Sequence, residues 1–224
     1  GLGDVYKRQM DDIIWTGPQP TVSELGARCG ISHTAPLAVL QEKVTLAISK
    51  GRPVHFLPPY RADNKLKLSR WLGICPEAIA DRISIELAIA IVSLRDKKSD
   101  EEIREIEDAC EIGYRMHTTA MKMCCPGARE RDIAGAIEGI ALEMGEGVSF
   151  HSIVTQHGET LHNHGHDGIL ESGRMLLVDA GAENLMNYCS DFTRSYPVNG
   201  RFTPMQRDIY EIVLAANAHA FEMA

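Results

Sequence analysis

Two aspartates and a cluster of histidines are the side chains best placed to do chemistry. The stretch LLVDAGAENLMNYCSDFTRSYPV, from Leu176 to Val198, puts Asp179 at the end of one run of strand formers and Asp191 within the next. A carboxylate inside a sheet is costly unless it is paired, hydrogen-bonded or bound to a cation. Two acids on consecutive strands of a short hairpin have a further option. Neighbouring strands lie about 4.8 Å apart, so their carboxylates can share one or two cations. Paired metals about 3.5–4 Å apart are a recurrent hydrolytic device. The local alternative is that Asp179 caps the DAG turn while Asp191 pairs with Arg194.

Five of the nine histidines (His151, His157, His162, His164 and His166) fall within sixteen residues. LHNHGH sets His162, His164 and His166 at i, i+2 and i+4, one face of an extended backbone. Three such imidazoles could bind one zinc or transfer protons, and a solvated polar loop would look the same. The six cysteines form no C-x-x-C pair, and they read as buried, reduced thiols of a cytosolic protein. Cys189 shares the face of Asp191, but no basic neighbour or helix N-terminus lowers its pKa, which argues against a nucleophile. CPGARERDIAGAIEG, residues 125–139, reads as the start of a helix rather than a phosphate cradle.

The frame for these residues is an ordinary globular chain of 224 residues, 44% hydrophobic and 24% charged. A net charge of −8 argues against nucleic-acid and anionic-membrane partners. No apolar run reaches the ~18 residues of a membrane helix. Residues 1–9, GLGDVYKRQ, have no apolar core and resemble translated linker sequence, so they are set aside from the fold. Asp11–Gly17 and RPVHFLP, residues 52–58, read as strands, and Ala35–Lys50, Arg61–Leu72 and Ser84–Leu94 as helices, an incomplete α/β unit.

The character changes near Asp96–Lys98, the expected boundary between a partial domain over residues 10–95 and a second domain over 96–224. Ser99 and Glu102 have the form of a capping box. The following helix carries Ile103, Ile106, Cys110, Gly113, His117 and Ala120 as one core-facing stripe. Pro126-Gly127 stops it, and a second amphipathic helix runs from about Arg129 to Met144. Strands are expected over Ser149–Thr155, Met175–Val178 and Tyr188–Val198. Thr203-Pro204 opens a terminal helix with Ile209, Ile212, Val213 and Ala216 inward.

TLHNHGH, GRMLLVDAGAENLMNYCSDFTRSYPVNGRFTPMQRDIYEIVL and the helix opening LRDKKSDEEIREIEDACEI together resemble the pita-bread metallopeptidases, in their aminopeptidase P and prolidase branch. The resemblance covers roughly residues 10–224. It implies an α+β pita-bread catalytic domain preceded by part of an α/β N-terminal domain. It also implies that Asp179 and Asp191 are metal ligands, Asp191 bridging two ions, and that His162 stabilises the tetrahedral intermediate. His164 and His166 have no counterpart in the family pattern. The Asp179–Asp191 hairpin is one residue longer than in several relatives, which hairpin tips tolerate.

The cofactors implied are two divalent ions, manganese first, with zinc and cobalt as alternatives. A histidine and two glutamates would complete the set beyond residue 224, so the chain is expected to be a fragment carrying two of five ligands, inactive and poorly folded alone. The implied substrate is a peptide with proline in the second position, and the implied protein a cytoplasmic homo-oligomer. A dipeptidase, another C–N hydrolase of the fold, a metal-free peptide-binding relative and a mononuclear zinc site on HNHGH are the competing readings.

Overall fold

The computed structural model describes residues 10–223, so the expectation for residues 1–9 lies outside the described residues. The chain divides into two compact units after Lys97.

Among its described residues the first unit is helical: α1 (Met10–Thr16), α2 (Val22–Arg28), α3 (Leu40–Ser49), α4 (Ala62–Leu72) and α5 (Ile85–Asp96), with short 3-10 turns between them. Two strand expectations fail here. Asp11–Gly17 lies in α1, which Gly17 stops at φ +69° with its N–H on Ile13 O at 2.8 Å. A run with no neighbouring ladder satisfies its backbone by coiling instead. Residues 52–58 form neither helix nor strand. They are fastened by Ser84, whose N–H reaches Phe56 O at 3.0 Å and whose hydroxyl meets His55 Nδ1 at 2.7 Å. Ser84 also caps α5 through Leu87 N–H.

The second unit opens with α6 (Asp100–Met123), where Ser99 and Glu102 close a reciprocal capping box, and continues with α7 (Glu130–Met144). The buried side of α6 is Ala109, Ile112, Gly113, Met116, His117 and Ala120. The expected stripe therefore holds at Gly113, His117 and Ala120, whereas Ile103, in the first turn, is exposed. Ile133, Ala134, Ile137 and Ala141 of α7 meet α6 and the sheet in one core with Val154, Leu176, Val178 and Val198.

The sheet is a three-stranded antiparallel ribbon, β2 (Ile153–Thr155), β3 (Met175–Ala180) and β5 (Phe192–Pro197), in the order β2-β3-β5. A second pair joins β1 (Gly147–Val148) to β4 (Ala182–Glu183). Residues of β3 alternate strictly. Leu176, Val178 and Ala180 are buried against the helices, and Met175, Leu177 and Asp179 are half-buried on the other side.

The last helix, α8 (Pro204–Met223), begins at a second capping box, with Gln206 N–H on Thr203 Oγ1 and Thr203 N–H on Gln206 Oε1. The expected inward side is corrected: Ile209, Ile212 and Val213 are 59%, 65% and 62% exposed, and Ala216 is exposed too. Ile209, Tyr210, Val213 and Leu214 border a cavity of about 900 Å³ whose far wall is Met175, Leu177 and Thr193. Ile209 and Val213 of the stripe thus look onto the second face of the ribbon across this cavity. The cysteine expectation is half met. All six thiols are free, but Cys29, Cys75, Cys125 and Cys189 are exposed and Cys110 and Cys124 half-buried, because they sit on turns and helix flanks rather than in the core.

Candidate active site

The β3–β5 ribbon determines where the two acids stand. Asp179 is paired with Thr193 across the ladder, and Thr193 Oγ1 donates to Asp179 Oδ1 at 2.9 Å. Asp191 lies one residue before β5 and two before Thr193, so strand alternation puts both acids on the same face, one diagonal step apart. That face is the one turned away from α6 and α7. Asp179 is half-buried and Asp191 exposed, where buried strand acids were expected. The reason is that helices cover only one side of this ribbon among the described residues.

Neither acid has the local partner that would explain it away. Asp191 makes no hydrogen bond or ion pair among the described residues, and Arg194 turns instead to Thr193 O at 2.7 Å and stacks over Phe192 at 5.5 Å. Asp179 does not cap the turn: among the described residues the one donor to its carboxylate is Thr193.

The corner between the acids is held tightly. Ser149 N–H reaches Gly181 O at 3.1 Å, and Ser149 Oγ donates to Ser190 O at 2.8 Å. Ser190 N–H donates to Ala182 O at 2.9 Å, and Ser190 Oγ accepts from Ala182 N–H at 3.1 Å. A Cβ on Gly181 would overlap Ser190 O, so only glycine allows this approach. At the hairpin tip Asn184 is buried. Its amide donates to Glu105 and Asp108 of α6, and its Oδ1 accepts from Met186 and Tyr188 N–H. Asn187 takes the left-handed turn position, φ +63°.

The histidine loop leaves β2 at Thr155, opposite Leu177, and folds back along that strand. The His164 ring lies 4.7 Å from that of His151 and the His166 ring 5.8 Å from it, with His162 6.1 Å from His164. His151 precedes Ile153, the partner of Asp179 across the ladder, by two residues, so the row of imidazoles returns towards the acid end of the sheet. His162 is exposed and touches neither acid by hydrogen bond or ion pair among the described residues. Among those residues no group of three or more His, Cys, Asp or Glu side chains is close enough to hold a metal ion. Surrounding protein and the Glu183 charge push the Cys189 thiol up, away from nucleophilic use.

Behind the ribbon stands His117, which sequence periodicity reads only as core. Its Nε2–H donates to Ala180 O at 3.1 Å, next to Asp179, and its buried Nδ1 meets no partner within hydrogen-bond geometry among the described residues. Burial holds its pKa below the ordinary value despite that bond, and the ring sits edge-on to Phe192 at 6.1 Å. The only advance sign of a role was a titratable residue on an apolar stripe.

A mixed fold with paired strand acids and a histidine loop defines a class, and the sequence profile of metallopeptidase family M24 matches residues 104–224. The chain belongs to that family, whose metallopeptidase character implies divalent metal ions. It is similar to the Xaa-Pro aminopeptidase of Escherichia coli, 38% identical over 120 residues that make up 52% of this chain and 27% of that protein. Among solved structures it matches the aminopeptidase PepP of Pseudomonas aeruginosa at 26% identity and TM-score 0.76, over 96% of this chain and 50% of that one. It also matches the prolidase of Pyrococcus furiosus at 35% identity and TM-score 0.53, over 57% of this chain and 38% of that one. The fold is therefore the α+β pita-bread fold of these enzymes, and the chain spans a quarter to a half of the length of these relatives. Asp179 and Asp191 fit part of a divalent-ion site: both are hard oxygen donors on one face, and among the described residues Asp191 has no hydrogen-bond or ion-pair partner to displace.

Proposed function

We propose that the protein is a metal-dependent Xaa-Pro aminopeptidase that releases the N-terminal residue of peptides with proline in the second position. The carrying observation is the placement of Asp179 and Asp191 on one open face of the ribbon without a basic partner. In this reading the two carboxylates would supply two of the ligands of a paired divalent-ion site, with manganese as the physiological metal. When bound, such ions supply the Lewis acidity that makes water nucleophilic near neutral pH. Thr193 fixes one Asp179 oxygen by its hydroxyl and leaves the other free to ligate. His162 donates a hydrogen bond to the oxyanion that develops on the substrate, a contact worth most in the transition state. The working enzyme is read as a cytoplasmic homo-oligomer.

The match to a prolidase favours a second reading, a dipeptidase acting on Xaa-Pro itself. The test uses the full-length enzyme, prepared metal-free and reloaded. Xaa-Pro-Xaa tripeptides cleaved faster than Xaa-Pro dipeptides support the aminopeptidase, and the reverse order supports the dipeptidase. Asp191→Ala should lose both bound metal and turnover. A chelated enzyme or an Asp191→Ala variant with full activity overturns the metal reading.

A further inference from the structure

Glu130 is a buried carboxylate that the metal site does not use. It is the first residue of α7, 3% exposed, far from the ribbon's acids in sequence. Its Oε1 accepts the backbone N–H of Gln156 at 2.8 Å and its Oε2 that of Gly168 at 3.0 Å. Its own N–H donates to Gly168 O at 3.0 Å. Gln156 and Gly168 are the first and last residues of the segment that carries His157, His162, His164 and His166.

We propose that Glu130 is a positioning residue that fastens both ends of this histidine loop and thereby sets where His162 stands. A buried carboxylate is tolerated only when its oxygens are satisfied, and here both are spent on the loop's ends. The helix N-terminus adds favourable positive potential. The fit is close: a Cβ on Gly168 would stand 2.6 Å from Glu130 Cδ and Oε1. Neighbouring contacts extend the clasp. Gln156 Nε2 donates to Ile169 O at 2.8 Å, its Oε1 accepts from Glu171 N–H at 3.1 Å, and Arg131 pairs with Asp167. Within the loop Asn163, next to His162, donates to Thr155 Oγ1 at 3.0 Å. A loop anchored at its ends and at one interior point has few ways to move its remaining side chains.

The inference rests on the reading of His162 given above, and its test separates the two. Glu130→Gln keeps the shape but turns an amide NH2 towards one of the two N–H donors, leaving it unpaired. Gly168→Ala attacks the same contact from the loop side. In the full-length enzyme each variant should exchange the backbone amides of residues 156–168 about tenfold faster, with α6 unchanged. Each should lower kcat about tenfold on an Xaa-Pro peptide with KM within about twofold and metal content intact. Added to His162→Ala, Glu130→Gln should cost little more, a non-additivity that a purely structural role would not give. Unchanged exchange overturns the clasp. Losses that multiply fully on the His162→Ala background overturn its action through His162. A parent enzyme without Xaa-Pro turnover overturns the functional reading, and exchange then still decides the clasp.

Discussion

Replacing Gly181 by alanine tests whether the corner between the two acids is a precise support or a loose connection. The new methyl group would overlap Ser190 O and stand 2.6 Å from Ser149 Oγ. Neither neighbour can retreat freely. Ser190 O accepts from Ser149 Oγ at 2.8 Å, and Ser190 N–H is bound to Ala182 O at 2.9 Å. Relief requires the two segments to part, which gives up at least the Ser149–Ser190 and Ser149–Gly181 bonds. Two hydrogen bonds at about 0.5–1.5 kcal/mol each, together with about 1 kcal/mol of overpacking strain, give a loss of about 2–4 kcal/mol. That is a sizeable fraction of the ~5–15 kcal/mol typical of a domain. In urea it corresponds to a midpoint about 1–2 M lower. Asp179 and Asp191 flank this corner, so metal uptake should fall with it. Equilibrium urea unfolding and metal titration of the full-length enzyme measure both. A midpoint within about 0.3 M of the parent, with parental metal content, would refute the steric argument.

Three further outcomes are expected. Thr193→Val removes the donor that orients Asp179 at little cost to shape, and should weaken metal binding about tenfold by calorimetry; an unchanged Kd would show that the hydroxyl is incidental. Burial pushes the Cys124 thiol up to about 11, with a smaller contribution from Cys125. At pH 8 its thiolate fraction is then about 10⁻³, so it should alkylate about a hundredfold more slowly than an ordinary free cysteine, as read by mass spectrometry. His117 is held below its ordinary pKa by burial, so the unfolded chain takes up the proton first. Its contribution to stability is therefore complete above pH about 6.5 and is lost as pH falls from there through the folded-state value. Urea midpoints of the parent should drop between pH 7.5 and 5 more steeply than those of His117→Gln, and equal slopes would remove the buried neutral imidazole as the cause.

What the sequence made legible was local. The Ser99–Glu102 capping box, the Thr203-Pro204 helix start and the apolar run of β3 are patterns within a few residues, so short-range sequence suffices to find them. The same reasoning failed over Asp11–Gly17 and residues 52–58. Strand-forming side chains do not make a strand without a neighbour to receive their backbone groups, and none is present among the described residues. It also missed Glu130 and His117. Glu130 acts on amides 26 and 38 residues away, and His117 on a carbonyl 63 residues away. Sequence spacing carries no trace of such contacts, and a first-turn glutamate or a stripe histidine looks like many others.

The placement of the acids changes the physical argument for a cation. Read from sequence, the case for a metal at Asp179 and Asp191 rests on the cost of burying unpaired carboxylates in a sheet. In the structure Asp191 is exposed and Asp179 half-buried, so little desolvation has to be offset. The case therefore passes from cost to geometry. Two carboxylates share one face of a twisted ribbon, one held by a threonine and the other unpartnered, while the nearby arginine stacks on Phe192. Arg194 alternates onto the other face of the ribbon, where with Phe192 it borders a cavity against α6, so it does not neutralise Asp191. The closely packed, hydrogen-bonded corner at Gly181 and Ser190 joins the two strands between the acids. Hard oxygen donors on one face are what a divalent ion selects, and donors placed in advance spend less of the binding free energy on ordering the ligands.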